Sequence, residues 1–135
     1  MRIIPSFFVK EFKGKIVNIH PSLLPSFPGL NAQEKALESG TRITGCTVHF
    51  VDEGVDTGPI IMQASVPILP DDVVEVLTKR ILQFEHLIYP IAVKFIAKKM
   101  VTLDNGKTHY HFQINSIPEG FFSPVTQKEF DLNED

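Results

Sequence analysis

The sequence predicts an α/β domain, and three features carry that expectation. Short β-branched runs at 16–20, 42–51 and 60–68 have the length and composition of strands. A short helical segment lies between the first two, and a long one with apolar residues every three or four positions follows the third. The opening βα unit and glycine-rich phosphate turn of a complete doubly wound sheet are missing, so the chain reads as half of such a fold.

Taken in order, Ile16-Val17-Asn18-Ile19-His20 follows Gly14 and is stopped by Pro21, which predicts a buried strand. Residues 22–30, with Pro25, Pro28 and Gly29, read as a stiff loop. Asn31 is placed to cap a helix over 32–39 that Gly40 ends. Residues 42–51 alternate as a strand, 52–59 form a turn-rich loop, and 60–68 return as an antiparallel strand.

Asp71 and Asp72 suit the positive end of a long helix with Val73, Leu77, Ile81, Phe84 and Ile88 on one stripe. Pro90 is expected to kink or divide it before a second segment over 91–99. Residues 101–103 and 108–112, joined through Asp104-Asn105-Gly106, read as a hairpin. From Ser116 the chain reads as a poorly packed tail. The division is therefore 1–115 for the folded portion and 116–135 for the tail, with no internal repeat.

At 135 residues, 43% hydrophobic and 21% charged, the chain can bury one core. A net charge of -3, no basic cluster, and the acidic Glu129, Asp131, Glu134 and Asp135 argue against nucleic acid as partner. A phosphorylated small molecule stays compatible, because backbone N–H groups can hold it. Cys46 is the single cysteine, so there is no intrachain disulfide and no CxxC metal motif, which fits a reducing compartment.

The apolar start is closed by Lys10, Glu11 and Lys13 without a cleavage site. No apolar run reaches the ~18 residues of a membrane span. These features predict a soluble cytoplasmic protein and leave organellar location open.

Asn18 and His20, two apart on a strand, point to one face. An amide donor beside an imidazole suits acyl transfer: the amide can bond the oxygen that turns negative, while the imidazole moves protons. Asp56, in a glycine-flanked loop, could bring a carboxylate to that face and orient the ring. Singly, a strand histidine is more often structural and a loop aspartate more often a turn residue.

The neighbours make the pattern specific. Asn18-Ile19-His20-Pro21-Ser22-Leu23-Leu24-Pro25-Ser26-Phe27-Pro28-Gly29 resembles the strand and loop motif of phosphoribosylglycinamide formyltransferases, also called glycinamide ribonucleotide transformylases. Gly45-Cys46-Thr47-Val48-His49-Phe50-Val51-Asp52-Glu53-Gly54-Val55-Asp56-Thr57-Gly58-Pro59-Ile60-Ile61 resembles the signature of the wider formyltransferase family. Gln83-Phe84-Glu85-His86-Leu87-Ile88-Tyr89-Pro90 continues the likeness, which covers about residues 1 to 110. The resemblance implies the C-terminal half of a Rossmann-like formyltransferase fold, a mixed sheet flanked by helices.

It also implies roles. Asn18 matches the asparagine that holds the formyl oxygen, His20 the histidine that helps shuttle the proton, and Asp56 the aspartate that positions this histidine and an ordered water. The implied reaction passes a formyl group from 10-formyltetrahydrofolate, a co-substrate, to the amine of glycinamide ribonucleotide, with no metal. Met1, Arg2, Ile3 and Ile4 match a segment whose backbone reads the pterin ring. Phe8 and Val9 match apolar positions of that pocket, and Val51, Asp52, Glu53, Gly54 and Val55 match the loop closing over it. Glu85 matches a contact to the ribonucleotide. Phe8, Val9 and Val51 could equally be plain core, and Glu85 a solvated helix residue.

Three other signals carry less. His49 reads as packing or a local hydrogen bond, His109-x-His111 lacks a third metal ligand, and Cys46 reads as a buried thiol without a base. Residues 52–56 lack the ligand pattern of a calcium loop.

The family's first half, with its phosphate-binding glycine loop, has no counterpart here, and Met1 aligns inside the folate loop. That predicts an exposed sheet edge, weak stability alone, and association with the missing N-terminal half or a second copy. Two other readings stand beside the first. One is another family enzyme, a methionyl-tRNA formyltransferase or a formyltetrahydrofolate hydrolase. The other is an inactive fragment that keeps the fold for binding or assembly.

Overall fold

The computed structural model describes residues 5–12, 14–112 and 122–123. The elements run α1 (Ser6–Glu11), β1 (Val17–His20), α2 (Ala32–Ser39), β2 (Ile43–Phe50), β3 (Ile60–Pro67), α3 (Val74–Ala97), β4 (Val101–Asp104), β5 (Lys107–Tyr110) and β6 (Phe122–Ser123). The α/β class stands. A four-stranded sheet has the order β1-β2-β3-β6, and β4-β5 form a separate hairpin. Every pairing among the described residues is antiparallel.

One face of the sheet carries Cys46, Val48 and Phe50 of β2 with Met62, Ala64 and Val66 of β3, all fully buried. They pack with Leu77, Ile81, Ile88, Ala92 and Phe95 of α3 in one core cluster. This is the burial that a strand period of two and a helix period of 3.6 produce when their apolar stripes meet. Residues 43–50 are buried on both faces except at Ile43. The loop after β1 supplies the second cover: Gly45 carries no side chain where Leu23 lies, and a Cβ there would stand 2.7 Å from Leu23 Cδ2.

Several local expectations change. α3 runs unbroken through Pro90. A proline removes one helical hydrogen bond, but Ile88, Ile91, Ala92 and Phe95 are buried on either side of it, and that packing holds the helix together. Val73 is not on the stripe; it is the helix N-cap and 53% exposed.

Asp72 lies just before that N-cap. Its carboxylate accepts the Leu69 N–H and pairs with Arg80. Asn31 precedes α2 in the left-handed region, φ 60°, without a side-chain cap bond, while Gly40 ends the helix at φ 77° as expected. β1 is half-open rather than buried: only His20 is fully covered, and Asn18 is exposed. Phe122 and Ser123, inside the expected tail, pair with Ala64 and Gln63 and add the fourth strand.

Candidate active site

β1 delivers Asn18 and His20, and the register decides what they meet. Asn18 lies opposite His49 and His20 opposite Thr47, so these four residues share one sheet face. The loop over 21–29 then folds across that face. Thr47 Oγ1 donates to the Ser22 carbonyl at 2.7 Å and accepts the Leu24 N–H at 3.1 Å. Gln63 Nε2 donates to the Leu24 carbonyl and to Thr47 Oγ1, each at 3.0 Å. Ser22 Oγ bonds the Ser26 carbonyl. A stiff proline-rich segment is thereby tied to two strands.

His20 is 6% exposed, and both of its ring nitrogens face acceptors. Nε2 is 2.8 Å from the Phe27 carbonyl and Nδ1 is 3.4 Å from Asp56 Oδ2. A neutral imidazole donates from one nitrogen only, whereas a protonated ring serves both.

Asp56 reaches this point because its loop is folded tightly. Asp52 Oδ1 accepts from the Gly54 N–H at 2.9 Å and the Thr57 hydroxyl at 2.7 Å. Val51 N–H bonds the Ile16 carbonyl at 2.9 Å, fixing the loop's start beside β1. Asp56 itself adopts φ 54°, a conformation short polar residues tolerate. Its side chain is 7% exposed; Oδ2 also accepts the Gly29 N–H at 2.8 Å, and Oδ1 lies 3.8 Å from His49 Nε2.

The other expected site residues divide into groups. Val9 is buried and Phe8 exposed on α1, and Lys10 of that helix pairs with Glu53 at 3.7 Å. The α1 segment and the 51–55 loop are therefore neighbours. Val51 and Asp52 are half-buried, while Glu53, Gly54 and Val55 are exposed. Met1, Arg2, Ile3 and Ile4 lie outside the described residues.

Glu85 is half-buried and lines a cavity of about 580 Å3 with Ile19, Leu82, His86, Tyr89, Pro90 and Val93. Burial pushes its carboxyl pKa up, against the opposing pull of His86 and His20. Ile19 faces the side of β1 opposite to Asn18 and His20, so Glu85 senses the site's charge across the strand.

His49 is buried and bonds the adjacent Phe50 carbonyl, as its reading as a packing or locally bonded residue expected, but its approach to Asp56 was not foreseen. Sequence reasoning missed Thr47 and Gln63 as partners of the loop, and it could not see the carbonyl of Phe27 or the N–H of Gly29. The periodicity of β2 places Thr47 and His49 on one face, but only the cross-strand register sets them beside Asn18 and His20. Cys46 lies on the core side, its thiol pushed up to about 12 by burial and by Glu85, partly offset by a hydrogen bond with the Ala64 backbone. His111 Nε2 is 2.7 Å from Thr102 Oγ1. Among the described residues no three His, Cys, Asp or Glu side chains gather as a metal would need, and no helix is long and apolar enough to cross a membrane.

The formyl transferase family profile matches residues 1–93. The trifunctional purine biosynthetic protein adenosine-3 of Drosophila melanogaster is 58% identical over 96 residues, 71% of this chain and 7% of that protein. The crystal structure of phosphoribosylglycinamide formyltransferase from Anaplasma phagocytophilum superposes with a TM-score of 0.79 at 51% identity, over 84% of this chain and 56% of that one. A formyltetrahydrofolate deformylase from Pseudomonas syringae pv. tomato superposes with a TM-score of 0.78 at 29% identity, over 83% of this chain and 38% of that one. The chain thus spans about half of the Anaplasma enzyme and a small part of the trifunctional protein.

Proposed function

Because the chain belongs to the formyl transferase family, we propose that it is the C-terminal, catalytic portion of a phosphoribosylglycinamide formyltransferase. In this reading it moves a formyl group from 10-formyltetrahydrofolate to the amine of glycinamide ribonucleotide, a step of purine (IMP) biosynthesis. The observation that carries the proposal is the meeting of His20 and Asp56 at 3.4 Å, both under a tenth exposed, on the face that Asn18 opens to solvent. The names of the purine-pathway relatives support the acceptor, and the name of the deformylase supports a folate donor.

The chemistry follows from the placement of these groups. The substrate amine attacks the formyl carbon, a C–N bond forms, and the formyl oxygen becomes negative. The exposed amide of Asn18 donates to that oxygen. His20 adds a second donor once the ligand draws one ring nitrogen from its present acceptor, and the Phe27 carbonyl, on the loop, is the contact to yield. Asp56 keeps the ring oriented through its contact with Nδ1. The bond to the folate N10 then breaks as N10 takes the proton released by the amine, through water held at Asp56. As proposed, the reaction takes no metal.

Phe8, Val9 and the 51–55 loop form the folate side of the site, together with Met1, Arg2, Ile3 and Ile4. Glu85 contacts the ribonucleotide from the cavity beside α3. Among the described strands β1 pairs only with β2, so we assign its free edge to the N-terminal half of such an enzyme or to a second copy. We place the work in the cytoplasm, where Cys46 stays a thiol.

A formyl-transfer assay with the ribonucleotide and the folate donor, comparing the chain with His20→Ala, tests the reading. Turnover that His20→Ala reduces is the expected result. Equal turnover in both would remove the mechanism, and none in either would favour a fragment that only binds.

A further inference from the structure

His49 is 3% exposed, and its Nε2 is the buried side-chain nitrogen that, among the described residues, lacks a hydrogen-bond partner. A buried polar atom left in this state calls for a cause. The ring sits where β2 and β3 shift register, between Val48 and His49, and such irregularities turn a side chain toward a new direction. Nδ1 lies 2.9 Å from the Phe50 carbonyl, so that nitrogen carries a proton. Nε2 is thereby aimed at Asp56 Oδ1, 3.8 Å away and within ion-pair range. Asp56 Oδ2 is already held by the Gly29 N–H and faces His20 Nδ1.

We propose that His49 is a positioning residue: it holds Asp56 Oδ1 from the neighbouring strand on the same sheet face, and so sets the carboxylate rotation that aims Oδ2 at His20. The geometry stands independently, while its catalytic consequence rests on the formyl-transfer reading. A carboxylate gripped at one oxygen can swing about its Cβ–Cγ bond, whereas one gripped at both cannot. An Nε2–H carried by the ring, with Asp56 as counter-charge, satisfies the buried nitrogen and completes the grip. Glutamine can supply an uncharged N–H at that place, and phenylalanine fills the volume with no donor.

The test measures the imidazole 15N signals of His20 and the formyl-transfer kcat and KM in the full chain, His49→Gln and His49→Phe, with Asp56→Ala as reference. In His49→Phe the His20 Nδ1 signal is expected to move toward its Asp56→Ala position. The same change should lower kcat roughly 10- to 100-fold, with KM changed by no more than about twofold. His49→Gln should keep the wild-type signal and most of kcat. A His49→Phe protein with wild-type signal and kcat overturns the proposal, as does a His49→Gln protein no better than His49→Phe. If the unsubstituted chain shows no transfer, the functional reading fails and the His20 signal alone decides the positioning role. If His49→Phe does not fold, His49→Gln decides: a wild-type signal supports the grip, and an Asp56→Ala-like signal refutes it.

Discussion

Gly29 donates its backbone N–H to Asp56 Oδ2 at 2.8 Å, joining the loop after β1 to the loop after β2 across 27 residues of sequence. The same carboxylate therefore has a structural task and a chemical one, and two substitutions separate them. In Asp56→Asn the side-chain carbonyl still accepts the Gly29 N–H, and asparagine suits a φ of 54°. Stability should change by no more than ~1 kcal/mol. Formyl transfer should fall on the order of 1000-fold or more, as when a carboxylate that orients an imidazole becomes an amide. Asp56→Ala loses the acceptor and strains the backbone, costing roughly 2 to 3 kcal/mol as well. Urea unfolding alongside turnover checks both, and an Asp56→Asn protein as unstable as Asp56→Ala would contradict the division of tasks.

Thr47 is fully buried and serves three partners: the Ser22 carbonyl, the Leu24 N–H and Gln63. Valine has nearly the same volume, so Thr47→Val leaves the packing and removes the hydroxyl. The buried groups left unpaired should cost about 1 to 3 kcal/mol in denaturant unfolding. Because the loop over 21–29 carries Phe27 and Gly29, its loosening should also raise amide exchange at Gly29. Unchanged exchange there would mean that the prolines alone hold the loop.

What the sequence disclosed depended on whether the physics was local. A period of two put Asn18 and His20 on one face, and the helical stripe of α3 was legible at Leu77, Ile81 and Ile88. Asp56 was legible through its motif, because its contact with His20 spans the two loops and follows no periodicity. The approach of His49 to Asp56 was not, because register and the irregularity at Val48/His49 are properties of two strands together. Pro90 misled because tertiary burial around it outweighs one missing hydrogen bond. α1, with six residues, and β6, with two, are too short to leave a periodic signal. The Phe27 carbonyl belongs to the backbone, which any residue would supply.

Gly58 closes the loop that carries Asp56. A Cβ there would stand 1.7 Å from the Phe50 carbonyl oxygen and 2.7 Å from its carbon, both backbone atoms that no rotamer change can move. Gly58→Ala must therefore displace the end of β2 or the loop. The expected cost is about 3 kcal/mol, at the upper end for overpacking, together with loss of formyl transfer as Asp56 is drawn off His20. Thermal unfolding checks the first part. A variant with wild-type stability would show that the loop has room the structure does not reveal.

Asp72 and Arg80 tie the turn before α3 to the helix, with Arg80 Nη2 donating to Asp72 Oδ1 at 2.8 Å and the Leu69 N–H to Oδ2 at 2.7 Å. The hydrogen bonds from Arg80 hold the Asp72 carboxyl pKa down at about 2, below its ordinary 3.8. An acid whose pKa is lower in the folded chain than in the unfolded one binds its proton more readily after unfolding. Its contribution is therefore complete above the unfolded value and is lost as pH falls from near 4 toward 2. Arg80→Gln removes the cause of the depression while keeping a hydrogen-bonding side chain. Its stability deficit against the unsubstituted chain should be largest at pH 5 to 7 and shrink steadily below pH 4. Chemical unfolding at half-unit steps across that range reads it directly. A deficit that stays constant down to pH 2 would mean that Arg80 works through packing against the Pro67 turn, to whose carbonyl it also donates, and not through its charge.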